Sequence, residues 1–138
     1  MENAEKLALL NKSSQNYLIE TLGISFTERS DDYLFAKMSV NERVYQPDRM
    51  LYGGATFALA ETVGSVSSYL FAKTDDQIER GIEMSGNHLC SVSSGHVHAR
   101  AESIHKRRTT EIWQNRVIDD EDQLISLLKL TTITLPKK

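Results

Sequence analysis

The sequence predicts an α+β domain in which an antiparallel sheet wraps around one long central helix, with short helices before it. One observation is a long apolar segment, residues 50–72, whose single charged residue is Glu61. The other is the sequence that follows, in which four segments with strand character are separated by short polar turns. With 138 residues the chain suits a single domain, 1–138, with a substantial core.

The residues before the long helix predict two short helices, a strand pair and a loop. Ser13 or Ser14 is a candidate cap for the second helix, which Gly23 would end because glycine readily adopts the conformation needed there. The predicted elements are a helix at 3–12, a helix ending at 22, strands at 24–28 and 33–40, and a polar loop at 41–50.

The apolar segment predicts a buried helix from about residue 54 to 71 or 72. It is long enough to span a bilayer, but its glycines, its hydroxyl residues and Glu61 favour a buried helix of a soluble protein. The helix is apolar over most of its circumference, and one sheet would cover only one side. The remaining surface, rich in Gly, Ala and Ser, predicts contact with a second subunit and therefore a homodimer.

The residues after the helix predict four strands. Val97, Ala99 and Ala101 alternate with polar residues, as in a half-buried antiparallel strand. The predicted strands span about 78–91, 95–105, 109–119 and 123–135.

Composition and charge argue against several functions. The net charge is −3, and the one dense basic run, 106–108, is too short for a nucleic-acid surface. The single cysteine, Cys90, excludes an intramolecular disulfide and disfavours a structural zinc site. The first residues lack the pattern of a signal peptide. We expect a cytoplasmic protein that binds neither nucleic acid nor membrane.

Glu61 is the main candidate catalytic residue. A carboxylate inside an apolar segment is costly to bury unless it is paired, protonated or used in chemistry. Ala58, Ser65 and Ser68 are predicted to share its helical face, and their small side chains would leave room for a ligand. The alternative is a structural glutamate that pairs with a buried arginine or faces solvent.

Gly53 and Gly54 lie at the start of the helix. Unpaired backbone N–H groups and the helix dipole can polarise a carbonyl there, although a plain turn would have the same geometry. Eight residues of helix separate Gly53 from Glu61 by about 12 Å, too far for both to reach one carbonyl. A site that uses both would combine Gly53 of one subunit with Glu61 of an antiparallel neighbour.

Further candidates lie in the flanking loops. Gln46 could donate to a carbonyl or position water, and Tyr52 could supply a phenol O–H or close the core. The turn at 106–110 predicts either a solvated hairpin or a phosphate-binding site. Its candidate ligands are Lys106, Arg107, Arg108 and Thr109.

The histidines and known motifs give weaker signals. His96 and His98 alternate on one strand face, but no third ligand is evident, so no metal site is predicted. His88 and His105 have no partner that the sequence reveals. No nucleophile elbow, dinucleotide-binding motif or P-loop occurs.

The segment from Gln46 to Ser65 contains Gln-Pro, then Leu-Tyr-Gly-Gly-Ala, then Ala-Leu-Ala-Glu-Thr-Val-Gly-Ser. It resembles the hotdog-fold acyl-CoA thioesterases of the phenylacetic-acid-degradation type. The similarity is greatest to their Glu-dependent branch, which includes 4-hydroxybenzoyl-CoA thioesterases and 1,4-dihydroxy-2-naphthoyl-CoA hydrolases. Weaker matches extend the resemblance over about residues 22–135. They are Gly81-Ile82-Glu83, the Ser94-Gly95 turn, His105, Arg108 and Trp113.

The resemblance implies hydrolysis of an acyl-CoA thioester at a dimer interface, with no cofactor apart from the CoA of the substrate. Glu61 would be nucleophile or general base, and Gly53 N–H of the other subunit would polarise the carbonyl. Gln46 would assist there or position water, Ser65 would contact the acyl group or water, and Arg108 would lie near the CoA phosphates. The other expected substrate-binding residues are Lys106, Arg107, Thr109, Gly54 and His88. The expected assembly is a homodimer that associates into a dimer of dimers.

The substrate remains open at this point. Phe57, Leu59 and Val63 are expected to line the pocket and to favour an aryl or medium-chain acyl group.

The chain departs from the family at two positions, where Tyr52 replaces the usual histidine and Ser85 an asparagine. Tyrosine does not shuttle protons near neutral pH, which favours the alternative of a non-catalytic acyl-CoA-binding module. A hydratase of the same fold would need a histidine to accompany Asp48, and none is present there.

Overall fold

The computed structural model describes residues 2–71 and 76–137, which form a six-stranded antiparallel sheet packed on a long helix. In chain order the elements are α1 (Asn3–Ser13), α2 (Leu18–Thr21), β1 (Ile24–Arg29), β2 (Leu34–Ser39), a 3-10 turn (Glu42–Val44), α3 (Gly53–Leu70), β3 (Gln77–His88), β4 (His96–Lys106), β5 (Thr110–Asp119) and β6 (Leu124–Pro136). The strand order is β1-β2-β4-β5-β6-β3. The predicted fold class, a sheet around one long helix, is confirmed.

Helix α3 packs on the sheet through one stripe of its surface. Ala55, Leu59, Val63 and Ser67 recur every four residues and are buried. The helix begins at Gly53, one residue before the predicted start, and ends at Leu70. The predicted helix end at 72 and the loop at 73–75 lie outside the described residues.

Ser13 and Ser14 do not cap the second helix, contrary to the prediction. Ser13 ends α1 and Ser14 is its C-cap, and both hydroxyls donate to the carbonyl of Leu10. Helix α2 is a single turn that begins at Leu18. Gly23 follows it with φ of +74°, a left-handed conformation that favours glycine, as the predicted stop requires.

Strand β3 forms one edge of the sheet and is twelve residues long. It ends at His88, three residues before the predicted boundary, and a bulge interrupts its pairing with β6 between Gly81 and Glu83. Bulges bend a strand and re-aim neighbouring side chains. This edge therefore presents an irregular stretch of backbone beside α3.

None of the helices in the described ranges combines the length and hydropathy needed to cross a bilayer.

We expect Leu59→Ala to lower the free energy of unfolding by about 2–5 kcal/mol, since its fully buried side chain would leave a cavity between α3 and the sheet. Denaturant unfolding at fixed protein concentration measures this change. The control is Lys129→Ala on an exposed position of β6, which should change stability by less than about 0.5 kcal/mol. Equal losses in the two variants would contradict this packing of α3.

Candidate active site

Glu61 lies on the side of α3 that the sheet leaves open, and its side chain is exposed in this chain. It lines a cleft of about 410 Å³ between α2 and α3. The other lining residues are small or apolar for the most part: Leu18, Ile19, Leu22, Ala58, Thr62, Ser65 and Val66. The single subunit therefore does not bury the carboxylate, and the cleft gives it an apolar neighbourhood. The apolar wall from α2 is a feature that the sequence did not reveal.

The bulge of β3 borders this carboxylate. A Cβ built on Gly81 would lie 3.6 Å from Glu61 Oε1 and 3.9 Å from Ser65 Oγ, which are ordinary contact distances. Ser65 and Glu61 are one helical turn apart and both line the cleft. The structure thus brings the predicted catalytic pair Glu61 and Ser65 together at the edge of the sheet.

Other side chains predicted near the carboxylate point elsewhere. Ser68 is buried and contacts Thr132 Oγ1 at 3.0 Å, on the sheet side of the helix. Leu59 and Val63 are fully buried in the core, so they do not line the cleft. The prediction that Ser68, Leu59 and Val63 face the ligand was wrong, because an almost wholly apolar helix has no clear boundary between its faces.

Gly53 begins α3, and the ring of His88 lies against it. A Cβ on Gly53 would be 2.7 Å from His88 Nε2, closer than real Cβ atoms approach, so a larger residue here would require the His88 ring or the start of the helix to shift. His88 Nδ1 and Ser126 Oγ form a hydrogen bond of 2.8 Å, and the ring of Phe57 is 5.4 Å away. His88 is therefore held beside the start of α3, near the candidate carbonyl-polarising N–H. Ser126 was not foreseen from the sequence.

Tyr52 folds over the second glycine of the pair. A Cβ on Gly54 would lie 2.6 Å from Tyr52 Cε2, and the Tyr52 side chain is 56% exposed. The alternative that Tyr52 closes the core is therefore wrong. Its carbonyl accepts from the N–H groups of Ala55 and Thr56, so these later amides are used within the helix.

The side chain of Gln46 pairs with a carboxylate two residues further along the same loop. Gln46 Nε2 donates to Asp48 Oδ1 at 2.9 Å, within the loop that leads into α3. The same carboxylate oxygen accepts from the N–H of Met50 at 3.3 Å. Gln46 is half-buried and Asp48 is exposed. A two-residue spacing in a turn was the only sequence signal for this pair.

The basic turn lies at the opposite end of α3 from Gly53. Lys106 Nζ donates to the carbonyl of Phe71, the C-cap of α3, at 3.4 Å and lies 3.8 Å from Glu111. Since α3 is about 27 Å long, this turn and Gly53 of the same subunit do not meet. The other residues of the turn are exposed: Arg107, Arg108 and Thr109.

His96 and His98 share the carboxylate of Asp120. His98 Nε2 lies 2.8 Å from Asp120 Oδ1, and His96 Nδ1 lies 3.5 Å from Oδ2. The hydrogen bond from His98, with smaller contributions from His96, holds the pKa of Asp120 below its usual value. Over the described ranges 2–71 and 76–137, no group of three His, Cys, Asp or Glu residues could hold a metal ion.

The chain is similar in sequence and in structure to known thioesterases. Residues 49–126 match a family model described as the thioesterase superfamily. The proofreading thioesterase EntH of Cronobacter turicensis is 37% identical over 129 residues, which cover 94% of this chain and 93% of the relative. A mutant of thioesterase PA1618 from Pseudomonas aeruginosa, with alanine in place of a glutamine, gives a TM-score of 0.91 at 38% identity and covers 94% of each chain.

Two solved structures of the protein SAV0944 from Staphylococcus aureus give TM-scores of 0.83 and 0.82 at 36% and 35% identity. They cover 87% and 86% of this chain and 99% and 98% of the other. One has alanine in place of a glutamate and the other in place of a glutamine that lies fifteen residues earlier. In the present chain the same interval separates Gln46 from Glu61.

Proposed function

Because the chain belongs to the thioesterase superfamily and is a thioester hydrolase with the hotdog fold, we propose that it hydrolyses an acyl-CoA thioester to a free acid and CoA. The observation that carries the proposal is the exposed carboxylate of Glu61 in an apolar cleft, on a helix that begins at Gly53 beside the ring of His88. The matching Gln–Glu interval in SAV0944, where both residue types were substituted, supports the choice of Gln46 and Glu61 as site residues. Membership of this family favours hydrolysis over a non-catalytic binding module.

Hydrolysis requires a polarised carbonyl and an oxygen nucleophile. The N–H of Gly53 donates to the thioester carbonyl oxygen, where the dipole of α3 helps to stabilise the developing oxyanion. Glu61 either attacks the carbonyl carbon, which gives an anhydride that water then hydrolyses, or removes a proton from the attacking water. CoA leaves as the thiolate in both routes, and Gln46 and Ser65 position water and the acyl group. No further cofactor is needed.

Two subunits complete the proposed site, as the distance along α3 requires. Gly53 and Glu61 lie on one continuous helix about 12 Å apart, so one substrate carbonyl needs each from a different subunit. Strand β3, a long edge, would continue the sheet by pairing with β3 of a second copy. Large exposed apolar side chains also occur on α2, on α3 and at the bulge: Leu18, Tyr69 and Ile82. We propose a homodimer, with a dimer of dimers as the larger assembly.

The cleft favours an apolar acyl group. Leu18, Ile19, Leu22 and Val66 supply apolar walls beside Glu61, which suits an aryl group such as 1,4-dihydroxy-2-naphthoyl or a medium acyl chain. An antiparallel neighbour also brings its basic turn, at the far end of its own α3, towards Gly53 of the first subunit. There the exposed guanidinium groups of the turn can bind the CoA phosphates. We place this reaction in the cytoplasm, where the free thiol of Cys90 remains reduced.

A panel of CoA thioesters tests the proposal. Aryl, short, medium and long acyl-CoA substrates are incubated with the protein, and thiol release is measured. We expect the highest kcat/KM for aryl or medium acyl-CoA, and lower values for short chains that leave the cleft empty. Tight binding of acyl-CoA without thiol release from any substrate would overturn the proposed hydrolysis.

A further inference from the structure

The loop that carries Gln46 is held in one conformation by its own hydrogen bonds. The N–H of Gln46 donates to the carbonyl of Met50 at 2.8 Å, and the N–H of Arg49 donates to the carbonyl of Gln46 at 2.9 Å. Arg49 adopts a left-handed φ of +67°, which is uncommon for a non-glycine residue. The loop backbone therefore forms a closed turn, and Asp48 adds a further hydrogen bond by accepting from the N–H of Met50.

Asp48 also determines which way the Gln46 amide faces. An ionised carboxylate can only accept hydrogen bonds, so the group 2.9 Å from Asp48 Oδ1 must be the NH₂ end of the amide. The carbonyl oxygen Oε1 and the second N–H of Gln46 then remain for other partners. Donation to a charged acceptor polarises the amide, which makes Oε1 a stronger acceptor.

We propose that Asp48 is a positioning residue for the reaction, and that it fixes Gln46 so that Oε1 accepts a hydrogen bond from the water used in hydrolysis. This inference rests on the proposed function, and it selects between the two roles of Gln46 that the sequence left open. Gln46 acts mainly as an acceptor for water, and the carbonyl of the thioester is polarised by backbone N–H instead.

Turnover in a double-mutant cycle tests the positioning role. Asp48→Ala should lower kcat by roughly tenfold with little change in KM, because the Gln46 amide samples other orientations without its hydrogen bond to Asp48. Asp48→Asn should restore most of the rate, since its Oδ1 accepts the same hydrogen bond. If Asp48 acts through Gln46, the variant with both residues changed to alanine should be no slower than Gln46→Ala alone.

A matched control uses another exposed turn aspartate. Asp32 accepts a hydrogen bond of 2.9 Å from Ser30 Oγ in the β1–β2 turn, and Asp32→Ala should leave kcat unchanged. Multiplicative losses from Asp48→Ala and Gln46→Ala in the double variant would overturn the proposal, as would a failure of Asp48→Asn to recover activity.

A second readout does not depend on turnover. The side-chain ¹⁵N–¹H signals of Gln46, assigned by their loss in Gln46→Ala, should show one amide proton shifted by its bond to the carboxylate in the wild type. In Asp48→Ala this shift should disappear, and unchanged signals would overturn the proposed orientation. Absence of wild-type thiol release with these shifts intact would instead contradict the proposed function, so the two failures are distinguishable.

Discussion

Glu61→Gln is expected to lower kcat by about 10³-fold or more, the largest single loss in this protein. Glutamine keeps the shape and polarity of the side chain but has no anionic oxygen, so it can neither attack the thioester nor accept a proton from water. Because Glu61 is exposed on the open side of α3, the substitution should leave the fold of the subunit intact. Thiol release from the best substrate of the panel, at saturating and at low concentration, separates effects on kcat and KM.

The control is another glutamate on the surface of the same subunit. Glu102 on β4 is exposed and contributes nothing to the cleft, so Glu102→Gln should retain the wild-type rate. Thermal unfolding of both variants should match the wild type. A Glu61→Gln protein that keeps its rate to within a few-fold would show that another group supplies the nucleophile or the base.

The fold could be predicted largely because two strong local signals agreed. The apolar segment around Glu61 needs cover on several sides, and the later segments have strand character separated by polar turns. Element bounds were less accurate: β3 is shorter than predicted and α2 is a single turn. Helix caps and strand ends depend on individual hydrogen bonds, such as those of the Ser13 and Ser14 hydroxyls to Leu10, which periodicity does not encode.

The candidate site could be predicted only where its chemistry lies within one segment. Glu61, Ser65 and the two glycines share one helix, so their spacing was informative. The sequence pattern could not predict that the Leu59 side chain points into the core, because the opposite faces of α3 differ little in hydropathy.

Partners that come from other parts of the chain were missed for a different reason. Ser126, which holds His88, and the α2 side chains that line the cleft reach their positions through tertiary packing, which sequence spacing does not specify. Likewise, the sequence could not show that the basic turn lies at the far end of α3 from Gly53.

If the site is shared between subunits, two variants that are each nearly inactive should complement each other in a heterodimer. In Gly53→Ala the added Cβ would lie 2.7 Å from His88 Nε2, so the ring or the helix start must shift, and we expect the altered position of the Gly53 N–H to lower kcat by about 10²-fold. Homodimers of this variant or of Glu61→Gln have one defect in every site. A heterodimer of the two collects both defects in one site and leaves the other site intact, so about half of the wild-type activity per dimer should return. Co-expression with two different affinity tags isolates the heterodimer for the thiol-release assay.

The reciprocal heterodimer makes this test decisive. A subunit with both substitutions, paired with a wild-type subunit, has one defect in each shared site and should keep no more than about 1% of the wild-type activity. If Gly53 and Glu61 instead acted within one subunit, the results would be exchanged: the wild-type subunit would retain its site, and the two single variants would fail to complement each other. The helical rise makes the second outcome physically difficult, because Gly53 and Glu61 of one chain are separated by about 12 Å along the axis of α3. The activity of these two heterodimers therefore measures directly whether catalysis requires the second copy.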